Sequence, residues 1–205
     1  EVLGPFVPLA AKLGRLAMEL AEGRAERIEL THYGHLADFD TRLLTAAALN
    51  GAFQGRFEQP VNYVNAPLLA DERGIEVVEQ RRRACRDFTN LVRVSVGTNG
   101  EQFRVSGTTI GRDNRMWLVS ALGFELEMEL APLLVLFRYD DVPGVIGKVG
   151  TLFGDAGVNI ANMAVSRTRR GGKALMVLSV DSEPEPGLVE RVRAEGFDDA
   201  RLISL

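Results

Sequence analysis

Leu9, Leu13, Leu16 and Leu20 recur at helical spacing, which predicts a first helix with one apolar face. Pro5 and Pro8 sit where a helix start tolerates them, and Gly23 supplies a stop. Polar and apolar residues then alternate through Arg27-Ile28-Glu29-Leu30-Thr31-His32-Tyr33, the pattern of a half-buried strand. A second helix is expected from a cap at Asp38 or Asp40, through Leu43, Leu44 and Ala47 toward Phe53. A short third one is expected between Asn65 and Gly74, with Pro67 in its first turn. From Ile75 the period changes to two, although the run Arg81-Arg82-Arg83 blurs the strand toward Cys85.

The clearest hairpin follows. Val92, Val94 and Val96 alternate with polar residues, as do Phe103 and Val105, and Asn99-Gly100 between them is a strong two-residue turn signal. That turn sets Val96 opposite Phe103 and Val94 opposite Val105. A second hairpin is expected from Met116 to Ser120, with a turn near Gly123 and a strand through Phe124, Leu126, Met128 and Leu130. Helices followed by an antiparallel meander make an α+β domain.

A new pattern begins at Ala131-Pro132. Leu133 to Tyr139 is a nearly continuous apolar run, as in a buried strand. A helix follows Pro143-Gly144, with Val145, Ile146, Val149, Leu152 and Phe153 expected on one face and Gly154 and Gly157 ending it. Val158 to Val165 and Ala174 to Val180 are strands joined at Gly171-Gly172, Pro186 opens a helix, and Ala200 to Leu205 is a last strand. The order β-α-β-β-α-β is the ferredoxin-like arrangement. The expected division is therefore 1–131, a mixed helix and antiparallel-sheet domain, and 132–205, a βαββαβ domain.

Composition narrows the class. Of 205 residues, 46% are hydrophobic and 25% charged, as in a folded globular chain. A net charge of −4 argues against general nucleic-acid binding, which needs a positive field. No apolar run is long enough for a membrane helix. The single Cys85 excludes a disulfide framework and fits a reducing, cytoplasmic compartment. With histidine only at His32 and His35, both read as surface residues, neither a metal site nor a Ser-His-Asp centre is expected. The chain starts at Glu1, not at Met, which suggests a piece of a longer protein.

The most informative stretch is Tyr139-Asp140-Asp141-Val142-Pro143-Gly144-Val145-Ile146-Gly147, where a strand ends and a helix begins. A helix start offers unpaired N–H groups and the positive end of a dipole, suited to a small carboxylate. Asp141 suits an ammonium group, and the amide of Asn159 both donates and accepts. The set Tyr139, Asp141, Gly144, Val145, Ile146 and Asn159 therefore suits an α-amino acid; helix capping and turn formation are the structural alternative. The glycines Gly144, Gly147, Gly150 and Gly154 do not have dinucleotide spacing. Arg81, Arg82, Arg83 and Arg86, with Lys148, are candidates for an anion site, against the alternative of a charged strand edge. Arg112 and Arg115 raise the same question. No nucleophile with a base and no metal-ligand cluster emerges, so the residues read as a binding or regulatory module without catalytic groups.

Asp141-Val142-Pro143-Gly144-Val145-Ile146-Gly147-Lys148-Val149-Gly150-Thr151-Leu152-Phe153-Gly154, with Gly157-Val158-Asn159-Ile160-Ala161, resembles the ACT domain that closes bacterial D-3-phosphoglycerate dehydrogenases. Val61-Asn62-Tyr63-Val64-Asn65-Ala66-Pro67, Phe88-Thr89-Asn90-Leu91 and Gly107-Thr108-Thr109-Ile110-Gly111 resemble the intervening, or allosteric-substrate-binding, domain of the long form. The resemblance implies a cytoplasmic NAD-dependent oxidoreductase of serine biosynthesis whose cofactor and catalytic domains lie upstream, with no cofactor in this chain. It implies L-serine as feedback effector at an ACT dimer interface, within a homodimer or homotetramer, and Tyr139, Asp141, Asn159 and the backbone of Gly144 to Ile146 as effector groups. It also implies that the intervening domain binds substrate or another anion near its boundary with the ACT domain. Some members have His-x-Asn-x-Pro-Gly where this chain has Tyr139-x-Asp141-x-Pro143-Gly144. Alternatives of other classes are the β-type part of an iron–sulfur L-serine dehydratase, for which Cys85 alone could not hold a cluster, and a stand-alone amino-acid-binding regulator.

Overall fold

The computed structural model describes residues 2–185 and 187–205. The chain divides into two compact units at Gly123/Phe124. The boundary read at Ala131 falls after strand β6 (Phe124–Glu129), and this division falls before it.

In the first unit, helices α1 (Phe6–Leu20), α2 (Arg42–Phe53) and α3 (Ala66–Glu72) accompany strands β1 (Arg27–Gly34), β2 (Glu76–Arg82), β3 (Asn90–Thr98), β4 (Glu101–Ile110) and β5 (Arg115–Ala121). Within this unit the strand order is β2-β1-β3-β4-β5. Leu9, Leu13 and Leu16 of α1 are fully buried, as the helical spacing predicts. The β3–β4 register is also the expected one, with Val96 opposite Phe103 and Val94 opposite Val105. Asn99 and Gly100 both take positive φ, 46° and 83°, which a two-residue hairpin turn of this kind requires.

Three local readings need correction. The sheet is mixed, because β2 runs parallel to β1; α2 and α3 carry the chain back across the sheet instead of a hairpin turning it round. The N-cap of α2 is Thr41, not Asp38 or Asp40, although Asp40 accepts a hydrogen bond from the Arg42 N–H at 3.2 Å. His32 is fully buried, not at the surface, while His35 is exposed. His32 shares the inward phase of Ile28 and Leu30, and neither of its ring nitrogens has a hydrogen-bond partner among the described residues. Burial lowers its pKa to about 4.

The helices α1 and α2 touch backbone to backbone. A Cβ on Gly14 would stand 1.9 Å from the Ala48 carbonyl oxygen, and one on Gly51 would stand 1.8 Å from that of Ala11. Only a residue without a side chain allows this approach.

The second unit contains β6, then β7 (Leu133–Asp140), α4 (Val145–Asp155), β8 (Ile160–Arg167), β9 (Lys173–Val180), α5 (Leu188–Ala194) and β10 (Asp198–Ser204). The last six elements form the expected βαββαβ order, with the antiparallel sheet β10-β7-β9-β8. The Pro186 expected to open α5 lies outside the described residues. Val135, Phe137 and Tyr139 of β7 and Met176 and Leu178 of β9 form one core with Val149 and Phe153 of α4 and Leu188 and Val192 of α5. β7 thus contributes alternate residues to this core. β8 is the last hydrogen-bonded strand of that sheet, and β6 of the same unit lies close against it.

Candidate functional site

The end of β7 and the start of α4 enclose a cavity of about 450 Å³, lined by Tyr139, by Asp141 to Gly147, and by Val165 and Arg167 of β8. Local sequence explains the corner. Pro143 cannot extend the strand ladder. Gly144 adopts φ 91°, a left-handed conformation that favours glycine, and turns the chain into the helix. No side chain caps that helix start, so the first N–H groups of α4 are left for solvent or a guest. Asp141, weighed in sequence as a cap, does not serve as one.

Asp141 is held from the other side. Its Oδ2 accepts from Arg167 Nη1 at 2.9 Å and from the Gly171 N–H at 3.2 Å. The Arg167 guanidinium, followed by the Gly171 N–H, holds this carboxyl below its usual range. The Asp141 N–H donates to the Gly172 carbonyl at 2.8 Å, which ties the β8–β9 turn to the end of β7. Tyr139 is buried, with Phe197 at 5.8 Å between ring centroids; burial, and then the nearby Asp141 charge, raise its pKa.

The chain brings Tyr139, Asp141, Gly144, Val145 and Ile146 together, but not Asn159. Asn159 precedes β8, and its Nδ2 donates to Asp181 Oδ2 at 2.5 Å. Along β9, Asp140 pairs with Lys173 and Arg167 with Ala174, whereas Ile160 pairs with Val180. Asp141 meets Gly172 and Asn159 meets Asp181, so the two stand at opposite ends of the sheet, roughly 30 Å apart at strand rise. One small molecule cannot touch both in a single chain. Ile146, named in sequence as a site residue, is 55% exposed and lines the cavity, alongside Val142 at 57% and Val165 at 43%. Val145, one residue earlier on the same turn, packs against the core instead.

Arg167 is the site residue that the sequence reading missed. Its position 26 residues after Asp141 shows no local motif; only the antiparallel β8–β9 pairing brings it to the corner. The proposed anion group does not converge on one acceptor. Arg81 donates to the Phe39 carbonyl at 3.2 Å, Arg82 to Gln80 at 2.9 Å, and Arg83 to Asp38 at 2.6 Å. Arg86 is exposed, and Lys148 pairs with Glu195 at 2.5 Å. Arg115 lies 5.9 Å from the Trp117 ring centroid. Cys85 is a half-buried free thiol.

Among the described residues, no group of three His, Cys, Asp or Glu could hold a metal ion, and no helix is long and apolar enough to cross a membrane. The glycines of α4 do not fit a dinucleotide either. β9 lies between β7 and β8, so β7-α4-β8 is a split unit without the adjacent parallel strands of a nucleotide fold.

Residues 2–120 match the family model described as the D-3-phosphoglycerate dehydrogenase intervening domain, and residues 134–197 match the ACT domain model. Similar curated proteins are D-3-phosphoglycerate dehydrogenases. That of Archaeoglobus fulgidus is 33% identical over all of this chain and 39% of its own length. That of Synechocystis is 35% identical over all of this chain and 37% of its length. That of Bacillus subtilis is 32% identical over 92% of this chain and 36% of its length. The chain spans less than two-fifths of the length of these relatives.

Proposed function

Because the chain belongs to the D-3-phosphoglycerate dehydrogenase family, carrying its intervening domain followed by an ACT domain, we propose that its ACT corner receives L-serine as feedback effector, in a site completed by a second copy. The observation that supports this is the Asp141 carboxylate on the wall of an open cavity beside an uncapped helix start. The ammonium goes to Asp141, and the carboxylate comes within reach of the N–H groups of α4. NAD and the oxidation of 3-phosphoglycerate belong, in this reading, to catalytic domains upstream of these residues.

The second copy follows from the separation of Asp141 and Asn159. β6 lies close to β8, and by symmetry alone a twofold axis that sets two β8 strands antiparallel brings the start of one to the end of the other. Asn159 of a second copy then reaches the corner that holds Asp141. The same pairing covers Val142, Ile146 and Val165, which a single chain leaves exposed.

Mixing experiments test the shared site. By calorimetric titration, Asp141→Ala and Asn159→Ala are each expected to lose L-serine binding. After the two are unfolded and refolded together, about a quarter of the wild-type sites should return, because half of the dimers are mixed and each mixed dimer holds one intact site. A mixture as silent as its folded components rules out the sharing. Unchanged affinity in both single variants rules out the site.

A further inference from the structure

Among the described residues, both donors to the Asp141 carboxylate, Arg167 Nη1 and the Gly171 N–H, reach Oδ2, and none reaches Oδ1. Arg167 lines the same cavity, its side chain is 56% exposed, and only one of its five N–H donors is spent on Asp141. The wall therefore carries a negative and a positive group side by side, held in place by the β8–β9 turn. An α-amino acid carries the opposite pair, ammonium and carboxylate, on neighbouring positions of one carbon. The two pairs match when laid against each other in opposite sense, and a guanidinium is the side chain best shaped to take a carboxylate.

We propose that Arg167 is a specificity residue of this corner, which together with the N–H groups of α4 clamps the α-carboxylate of a zwitterionic α-amino acid whose ammonium meets Asp141. The proposal rests on the amino-acid reading of the site given above. It restricts the ligand class: a free carboxylate beside the ammonium is required, so amino-acid amides and simple amines are rejected. It also opposes the plainest alternative, in which Arg167 merely occupies Asp141 and competes with the ligand. A competitor, once removed, tightens binding; a clamp, once removed, weakens it.

The 205-residue chain and its Arg167→Gln and Arg167→Lys variants are titrated calorimetrically with L-serine, L-serinamide and ethanolamine. Each variant is first shown to melt cooperatively. The wild type is expected to favour L-serine over both uncarboxylated compounds by at least ~10-fold, as loss of a charge-assisted hydrogen bond implies. Arg167→Gln should bind L-serine at least ~10-fold more weakly and lose most of that preference, with Arg167→Lys between the two. If Arg167→Gln binds L-serine as well as the wild type does, or better, or keeps the preference, the clamp is overturned. Loss of binding in Asp141→Ala alongside an unaffected Arg167→Gln overturns the clamp alone. A wild type that binds none of the three compounds overturns the amino-acid reading and the clamp together.

Discussion

Gly51→Ala is expected to lower the stability of the first unit by about 3 kcal/mol, and Gly14→Ala by a similar amount, the upper range for overpacking. The added methyl would sit 1.8 Å from the Ala11 carbonyl oxygen in one case and 1.9 Å from that of Ala48 in the other. A backbone oxygen cannot swing aside as a side chain can, so the two helices must separate and release the packing of Leu9, Leu13 and Leu49 around them. The expected sign is opposite to that for an ordinary helix. At Gly150 of α4, where a Cβ meets nothing within 4 Å, alanine should stabilise by about 0.5–1 kcal/mol through helix propensity. Chemical denaturation of the three variants checks both signs. If Gly51→Ala is as stable as the wild type, the close approach of α1 and α2 is wrong. Because the two glycines serve one crossing, the double variant should lose less than the sum of the singles.

The second large effect is acid destabilisation through His32. Its folded pKa is about 4 and its ordinary value 6.5, because burial disfavours the charged ring. Above pH 6.5 the ring is neutral in both states and contributes no pH dependence. As pH falls below 6.5 the unfolded chain takes up a proton that the folded chain refuses, so stability declines until pH passes the folded value near 4. The full loss is about 3 kcal/mol, since a tenfold change in proton affinity is worth about 1.4 kcal/mol. The charged groups around it, Glu79, which draws the pKa up, and Arg81, which pushes it down, have smaller effects than burial. Urea unfolding of the wild type and of His32→Leu at pH 7.5 and 4.5 isolates this contribution. The wild type should lose about 2–3 kcal/mol more than the variant over that interval. Parallel losses in the two proteins would place His32 in water, against its complete burial.

Much of the fold was legible in the sequence because its signals are local. Asn99-Gly100 sets a turn and the turn sets the register, so Val96 and Phe103 had to meet. The βαββαβ order followed from alternation of period and from glycine stops. β2 was harder, since its parallel partner lies far back in the chain and no turn joins them. The burial of His32 has a clue in the sequence, since in a strand of period two it shares its phase with Ile28 and Leu30, but a titratable residue type points the other way. At the site, Asp141 and the Gly144 corner were legible because strand, turn and helix start are contiguous. The contribution of Arg167 was not, because antiparallel pairing brings it there across the sheet. The distance of Asn159 from Asp141 was hidden for the same reason: sequence separation says little about which end of a sheet a residue occupies.

The parallel strand also bears on how the first unit is assembled. β3 and β4 are joined by a two-residue turn and can pair as soon as both have been synthesised. β1 must wait, because Arg27 meets Glu76 on one side and Gly97 on the other, roughly 50 and 70 residues later. Contacts of such range slow folding, since the loop must close before any pairing rewards it. The hairpin should therefore form early and the pairings of β1 later, with the amides of β2, at the sheet edge, exchanging with deuterium before those of β3 and β4.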